Sequence, residues 1–377
     1  MADPTIWKAL PFHFWTVTAF VFGSVVGSFL NVCIHRLPLG ESIVSPPSHC
    51  PHCRYAIPWY LNIPLFTWLW LGGRCAHCKA PISPRYFVVE LLTAALFAAC
   101  WIEFGQLSPG HISPVLPLAY ALLIAGLTAG SFIDLEHLII PDQITYGGMV
   151  AGLFCSFLAP QMHVAFPGLT RVSSVGAGLA DSFLGMGVGA GVIYGILRLG
   201  KVFLGRQKVD LPPGSRIIFT ETGVQLPGEE IPYEELFYRK SDAIELQARR
   251  VELIDRCYAN SAVRLATGCL KIGGETFDPE KVLCLEVEAD RIVLPREAMG
   301  PADVTFMAAI GAFLGWPAVF FCLGISCLLG SIVGGTAIVF KKRDWSSRIP
   351  YGPYIAVAAV VWIFGGYQWL RGFLPLR

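Results

Sequence analysis

The stretch Ser131-Phe-Ile-Asp-Leu-Glu-His-Leu-Ile-Ile-Pro-Asp142 decides how the rest of the chain is read. It ends an apolar run from Val115 to Ile133, about the ~20 residues that a helix needs to cross ~30 Å of hydrocarbon. Asp134 therefore falls at the end of a membrane helix, where an ionisable group is costly and calls for a functional reason. A second carboxylate stands in a matching place in Met299-Gly-Pro-Ala-Asp303, at the start of another apolar run. Two close carboxylates push each other's pKa values apart, so that one serves as base and the other as acid. Asp134 and Asp303 thus point to an aspartyl hydrolase at the membrane surface. The bland alternative is a pair of helix-end carboxylates facing water. Glu136, His137 and Asp142 are rivals in the same loop, and Asp142, after Pro141, is also placed to cap the next helix.

Working outward, the composition agrees with a membrane protein. The 377 residues are 54% hydrophobic and 15% charged, with a mean hydropathy of +0.57, whereas soluble domains carry about 25% charged residues. A net charge of +1 gives no sign of a nucleic-acid partner. Candidate spans fall near 12–34, 86–104, 115–133, 144–160, 175–199, 303–317, 319–340 and 351–370, with Pro317 marking a turn. The first is expected to be an uncleaved span rather than a signal peptide. Loop 35–85 carries Arg36, Arg54, Arg74, Lys79 and Arg85 against Glu41 alone. Further positive charge lies at Arg198, Lys201, Arg206 and Lys208, and at Lys341, Lys342, Arg343 and Arg348. With eight spans these loops share one side, cytoplasmic by the positive-inside rule, and both aspartates fall on it.

Residues 207–298 differ in kind: they are charged, rich in turns and carry short alternating runs. Strands are expected at Ile217-Ile-Phe-Thr, Val224-Gln-Leu, Val263-Arg-Leu, Val282-Leu-Cys-Leu-Glu-Val and Arg291-Ile-Val-Leu. A helix is expected from Glu234 to Tyr258, on the spacing of Leu236, Ile244, Val251 and Ile254. Thr222-Gly-Val-Gln-Leu-Pro-Gly-Glu-Glu-Ile resembles Thr267-Gly-Cys-Leu-Lys-Ile-Gly-Gly-Glu-Thr-Phe, which suggests two hairpins that pair with each other.

Cys50-Pro-His-Cys53 and Cys75-Ala-His-Cys78 are separated by 21 residues, close to zinc-ribbon spacing. Cys50, Cys53, Cys75 and Cys78 would close a tetrahedral, structural zinc site, with His52 and His77 as bystanders. Disulfides or free thiols are the alternatives, and a cytoplasmic loop argues against the former. Asn31, His35 and Arg36 end the first span and read as packing and topology signals. Gly185-Met-Gly-Val-Gly-Ala-Gly reads as close helix packing. Trp59, Trp68 and Trp70 suggest an interfacial segment.

Taken together, these motifs resemble the type IV prepilin peptidase family, the prepilin leader peptidase/N-methyltransferases. The resemblance rests on Gly27-Ser-Phe-Leu-Asn-Val with Arg36-Leu-Pro38, on Ser45-Pro-Pro-Ser-His-Cys-Pro-His-Cys53, Trp59-Tyr-Leu-Asn-Ile-Pro64, Gly73-Arg-Cys-Ala-His-Cys78 and Ile82-Ser-Pro-Arg-Tyr86 with Glu90-Leu-Leu-Thr93. Asp134-Leu-Glu-His-Leu-Ile-Ile-Pro-Asp142 and Ile349-Pro-Tyr-Gly-Pro-Tyr354 complete it. It implies an aspartic endopeptidase of the bacterial inner membrane with its active site facing the cytoplasm. Such an enzyme removes the basic leader of prepilins or pseudopilins after a glycine, then methylates the new N-terminus with S-adenosylmethionine. Asp134 and Asp303 match the protease aspartates, and the four cysteines match the zinc ligands. The methyl-transfer role is associated with the N-terminal region and its loop.

The expected fold is an all-α polytopic membrane protein of about eight transmembrane helices, with a zinc-binding cytoplasmic loop and an inserted small α+β domain. Its parts are the first helix (1–34), the zinc loop (35–85), helices two to five with the first aspartate (86–206), the insert (207–298) and helices six to eight with the second aspartate (299–377). Two departures from the family pattern stand out. Its second motif usually reads Gly-x-Gly-Asp, here Gly300-Pro-Ala-Asp303. The insert, a candidate contact for pilus or secretion machinery, is extra. Rival readings are a peptidase without methyl transfer, a catalytically impaired scaffold and a proton-coupled transporter.

Overall fold

The computed structural model describes residues 11–108, 111–112, 114–165, 170–204, 206–227, 229–233, 236–237, 242–253, 256–279, 282, 285–295, 300–340 and 350–373. The chain divides into a helical unit, Met1–Tyr194 with Gly300–Arg377, and a second unit, Gly195–Met299.

The helical unit contains α1 (Phe12–Arg36), the short α2 (Phe66–Trp70), α3 (Pro84–Phe104), α4 (Val115–His137), α5 (Asp142–Leu158), α6 (Val175–Leu204, which runs on into the second unit), α7 (Pro301–Leu314) and α8 (Trp316–Val339). It closes with α9 (Gly352–Val361) and α10 (Tyr367–Phe373), joined through a wide turn at Trp362–Gly366. Among the described residues, six helical stretches are long and apolar enough to cross a membrane, namely α1, α3, α4, α6, α8 and the run Gly352–Gly372 from α9 into α10, so the chain is a multi-pass membrane protein. The other two expected spans appear as α5 and α7, with 17 and 14 residues. At about 1.5 Å per residue, α7 is only about 21 Å long. It ends at Gly315, whose φ of +81° breaks the chain direction. Pro317 is not the turn. It lies in the first turn of α8, where a missing N–H costs nothing.

Short α7 is held by glycine. A Cβ on Gly148 of α5 would stand 3.1 Å from Ala309, and one on Gly152 would stand 2.8 Å from Ala312. On the other side, a Cβ on Gly185 of α6 would meet the Gly311 carbonyl at 2.2 Å, and one on Gly189 would meet the Met307 carbonyl at 2.6 Å. Helix association in lipid depends on such close backbone approach, because no hydrophobic drive exists between helices there. Every residue of α7 from Phe306 to Leu314 is buried as a result. At the far end of this packing, the buried His163 is hydrogen bonded to Ser156 Oγ at 2.7 Å and lies 3.1 Å from the Asp181 carboxylate. Ser156 and Ser182 both donate to the Ala312 carbonyl, which ties the C-terminal end of α7 to α5 and α6.

Beyond the end of α6, the described residues of the second unit are built mainly of strands. Its strands are β1 (Arg206–Asp210), β2 (Arg216–Phe219), β3 (Gly223–Leu226), β4 (Glu229–Pro232), β5 (Ala243–Leu253), β6 (Cys257–Ala266), β7 (Cys269–Ile272), β8 (Glu275–Phe277), β9 (Leu285–Glu288) and β10 (Arg291–Pro295). They form one sheet in the order β8-β7-β6-β5-β9-β2-β3-β4, and β10 pairs with both β1 and β5. The chain is therefore not all-α. Among the described residues, the helix expected from Glu234 to Tyr258 is instead a turn at Leu236-Phe237 followed by β5 and the start of β6. The core-facing residues of β5 are Ile244, Leu246, Ala248 and then Val251. The inward face changes phase after Ala248, near the partner-strand Asn260 with φ +49°. This slip leaves Ile244 and Val251 seven residues apart, and a strand then imitates two turns of helix. The two Thr-Gly repeats do form hairpins, β3–β4 and β7–β8, the latter turning at Gly273-Gly274 with both φ positive. They do not pair with each other: they occupy opposite edges of the sheet.

Candidate active site and metal centre

The two Cys-x-x-Cys turns are built alike. Cys50 N–H donates to the Tyr55 carbonyl and Arg54 N–H to that of Cys50, while Cys75 N–H donates to Ala80 and Lys79 N–H to Cys75. Arg54 and Lys79, each following a second cysteine, both have left-handed φ, +54° and +59°. Isolated bridges close each turn, His49 with Ala56 and Arg74 with Pro81, and His77 stacks on Tyr55 across the pair at 5.2 Å. The four Sγ atoms all lie within 4.8 Å of one another, and those of Cys50 and Cys78 are 3.8 Å apart. Thiolates bound to one zinc at about 2.3 Å would stand about 3.8 Å apart, so the set fits a tetrahedral ion. The N–H groups of Cys78 and His77 hold the Cys75 thiol below its ordinary range, toward the thiolate form that binds metal. The four cysteines are free thiols rather than disulfides.

Asp134 lies in the last turn of α4 and is buried. Its Oδ2 accepts the backbone N–H of Gly352 at 2.8 Å. Asp303 is buried in the first turn of α7, and its Oδ2 accepts the N–H of Gly300 at 3.1 Å. The two helix ends face each other: a Cβ on Gly130, one turn before Asp134, would stand 3.1 Å from the ring of Phe306, one turn after Asp303. The two carboxylates are within electrostatic reach of each other. Their rivals are set apart by exposure. Glu136 is paired with Arg85, and Glu136, His137 and Asp142 all face outward. Asp142 is not a cap: the helix is preceded by Pro141, and Asp142 sits in the first turn without a capping hydrogen bond, where it favours the helix dipole.

The departure at Ala302 is mild in this setting. Pro301 opens α7 at the position where proline is preferred, and half-buried Ala302 follows in regular helix. Gly300 has φ −71°, which any residue can adopt. The glycine that matters is Gly352, to which the sequence reading gives no role. A Cβ there would fall 2.8 Å from Asp134 Oδ2 and 3.2 Å from Ile140. The preceding Tyr351 anchors it through its hydroxyl, 2.8 Å from Ser326 Oγ and 3.2 Å from Cys327 Sγ. A glycine held between Tyr351 and Pro353 was the signal available in the sequence. Arg36 is also more than a boundary charge: it is buried and donates to the Ser42 and Pro46 carbonyls, at 2.9 and 2.7 Å.

Residues 21–104 match the Bacterial Peptidase A24 N-terminal domain, and residues 265–335 match the Type IV leader peptidase family. The chain is 28% identical over 393 aligned positions to the prepilin leader peptidase/N-methyltransferase of Aeromonas hydrophila, covering 97% of this chain and 95% of that protein. It is 47% identical over 153 residues to the protein of the same name from Myxococcus xanthus, a segment that covers 40% of this chain and 44% of the relative. A type 4 prepilin-like proteins leader peptide-processing enzyme of Escherichia coli is 41% identical over 162 residues, 37% of this chain and 56% of that one. No solved structure matches the chain.

Proposed function

The chain belongs to the type IV leader peptidase family, and from that premise we propose that it is a bifunctional prepilin-processing enzyme. It removes the basic leader of a prepilin or pseudopilin after a glycine, with Asp134 and Asp303 as the catalytic pair, and methylates the new N-terminus with S-adenosylmethionine. The observation that carries this reading is the pair of buried carboxylates on facing helix ends, each with one oxygen held by a backbone N–H. Two buried carboxylates at this range share one negative charge more readily than two. The ionised one takes a proton from water as the water attacks the scissile carbonyl. The protonated one donates to the oxygen that becomes the gem-diol. The Gly352 and Gly300 amides keep one oxygen of each carboxylate occupied, leaving the other for water and substrate.

Cys50, Cys53, Cys75 and Cys78 would hold a structural zinc ion, which pins two distant turns of a loop too small to build a core. Support for a cytoplasmic site in the inner membrane comes from the Arg85–Glu136 pair. It puts the end of α4 beside the start of α3, level with the arginine-rich loop. The reading is tested with purified protein in lipid, a prepilin-like peptide and S-adenosylmethionine, by weighing the products. Leader loss plus one methyl mass is expected. A peptide left intact by protein that retains zinc refutes it.

A further inference from the structure

Away from the aspartates, α1 and α3 pack as an antiparallel ladder with a four-residue step. A Cβ on Gly23 would stand 2.9 Å from Ala94, and one on Gly27 would stand 2.7 Å from the Cα of Glu90. Asn31 Nδ2 then donates to the Tyr86 carbonyl at 3.0 Å. That hydrogen bond fixes the amide, and Asn31 Oδ1 is left with no hydrogen-bond partner although the residue is only 2% exposed. A buried acceptor without a donor carries its desolvation cost uncompensated. Glu90 lies one turn along α3 from Tyr86 and is also buried. Its Oε2 accepts the N–H of Leu65 at 2.7 Å, Leu65 being held at φ +63°. Among the described residues no cation is paired with Glu90. The N–H groups are thus supplied by the chain, and the positive charge is not.

The geometry points to an ammonium-binding site formed by Asn31 Oδ1 and the Glu90 carboxylate, in which, on the methyl-transfer reading above, the substrate amine is held and deprotonated. A buried carboxylate with an unused amide oxygen one helical turn away on the same α1–α3 seam suits a primary ammonium, which carries one positive charge and three N–H donors. The site lies near the aspartate end of the bundle, since Arg85, five residues before Glu90, pairs with Glu136, two residues after Asp134. In the reaction Glu90 takes one proton from the ammonium. The nitrogen lone pair then attacks the sulfonium methyl, forming the N–C bond as the C–S bond breaks. The C–S electron pair goes to sulfur and leaves a neutral thioether. The product is a secondary ammonium that keeps two protons, and Glu90 passes its own proton to water.

The test uses full-length protein in liposomes with S-adenosylmethionine and two peptides, one with a leader and one already leaderless. Glu90→Gln keeps the shape and the bond from Leu65. It is expected to cut the leader within about twofold of wild type and to methylate the leaderless peptide about 10²-fold more slowly. Glu90→Asp should recover part of the rate. Asn31→Leu should lose methylation in the same selective way, with unchanged zinc content reporting an intact fold. Equilibrium dialysis of S-adenosylmethionine identifies the source of the ammonium. Unchanged donor affinity in Glu90→Gln is the expected result and assigns it to the pilin N-terminus, whereas affinity weakened about tenfold or more overturns the proposal, because the ammonium held is then the donor's own, which is not methylated. Methylation at the wild-type rate in both variants overturns the site, and so does a parallel fall in cleavage and methylation. Wild-type protein that cleaves and never methylates fails at an earlier step, removing the methyl-transfer reading and this inference with it.

Discussion

The two candidate catalytic aspartates are held in opposite ways. Asp303 takes its backbone donor from Gly300, three residues back, at the start of the same helix. Asp134 takes its donor from Gly352, 218 residues away. One carboxylate is therefore set as soon as α7 forms, whereas the other is set only when α4 meets the start of α9. The difference teaches that the two halves of a symmetric-looking site carry unequal folding requirements. Local geometry tolerates substitution around Asp303, and tertiary geometry forbids it around Asp134.

The comparison can be broken most directly at the carboxylates themselves. Asp134→Asn and Asp303→Asn should each lower leader cleavage by about 10³-fold or more, measured by product mass, with melting temperatures unchanged or raised because a buried charge is gone. A variant of either kind that cleaves at the wild-type rate removes that residue from the mechanism. The next largest effect sharpens the asymmetry. Gly352→Ala drives a methyl into Asp134 and should cost about 10²-fold in cleavage, in keeping with the loss of a charge-accepting hydrogen bond worth about 1.5–3 kcal/mol. Gly300→Ala meets only an ordinary 3.6 Å contact with Asp303 and should stay within about threefold. Equal losses at the two glycines would refute the contrast. Replacing Cys50 and Cys75 with serine should abolish zinc binding and open the 50–81 loop to proteolysis, read by metal analysis and limited digestion. Ala302→Gly, at a regular helical position, should change cleavage least, by less than about twofold.

Much of this was legible in the sequence because lipid imposes strict rules. Apolar runs of spanning length revealed α1, α3, α4, α6 and α8, and the spacing of Cys50, Cys53, Cys75 and Cys78 anticipated a cluster that the fold does bring together. Composition also marked out 207–298 as a different kind of sequence. Features that depend on two distant segments were hidden. Nothing local shows that Gly352 faces Asp134, or that α1 and α3 bring Asn31 against Tyr86 and Gly27 against Glu90. The start of the β5–β6 hairpin reads as a helix because the phase slip after Ala248 gives a strand the apolar spacing of a helix. The turn assigned to Pro317 belongs to Gly315, since proline suits a helix start and a left-handed φ suits glycine.

The sheet unit has one further property. Its first and last strands, β1 and β10, lie side by side, with Arg206 opposite Pro295 and Asp210 opposite Arg291. The polypeptide therefore leaves this unit about one strand spacing, ~5 Å, from where it came in. A module whose two ends are zipped together can be cut out and the gap closed with a linker of a few residues. For protein engineering this makes 206–295 a natural cassette: a removable piece, or a docking point at which a fluorescent or affinity module could be exchanged for the native sheet.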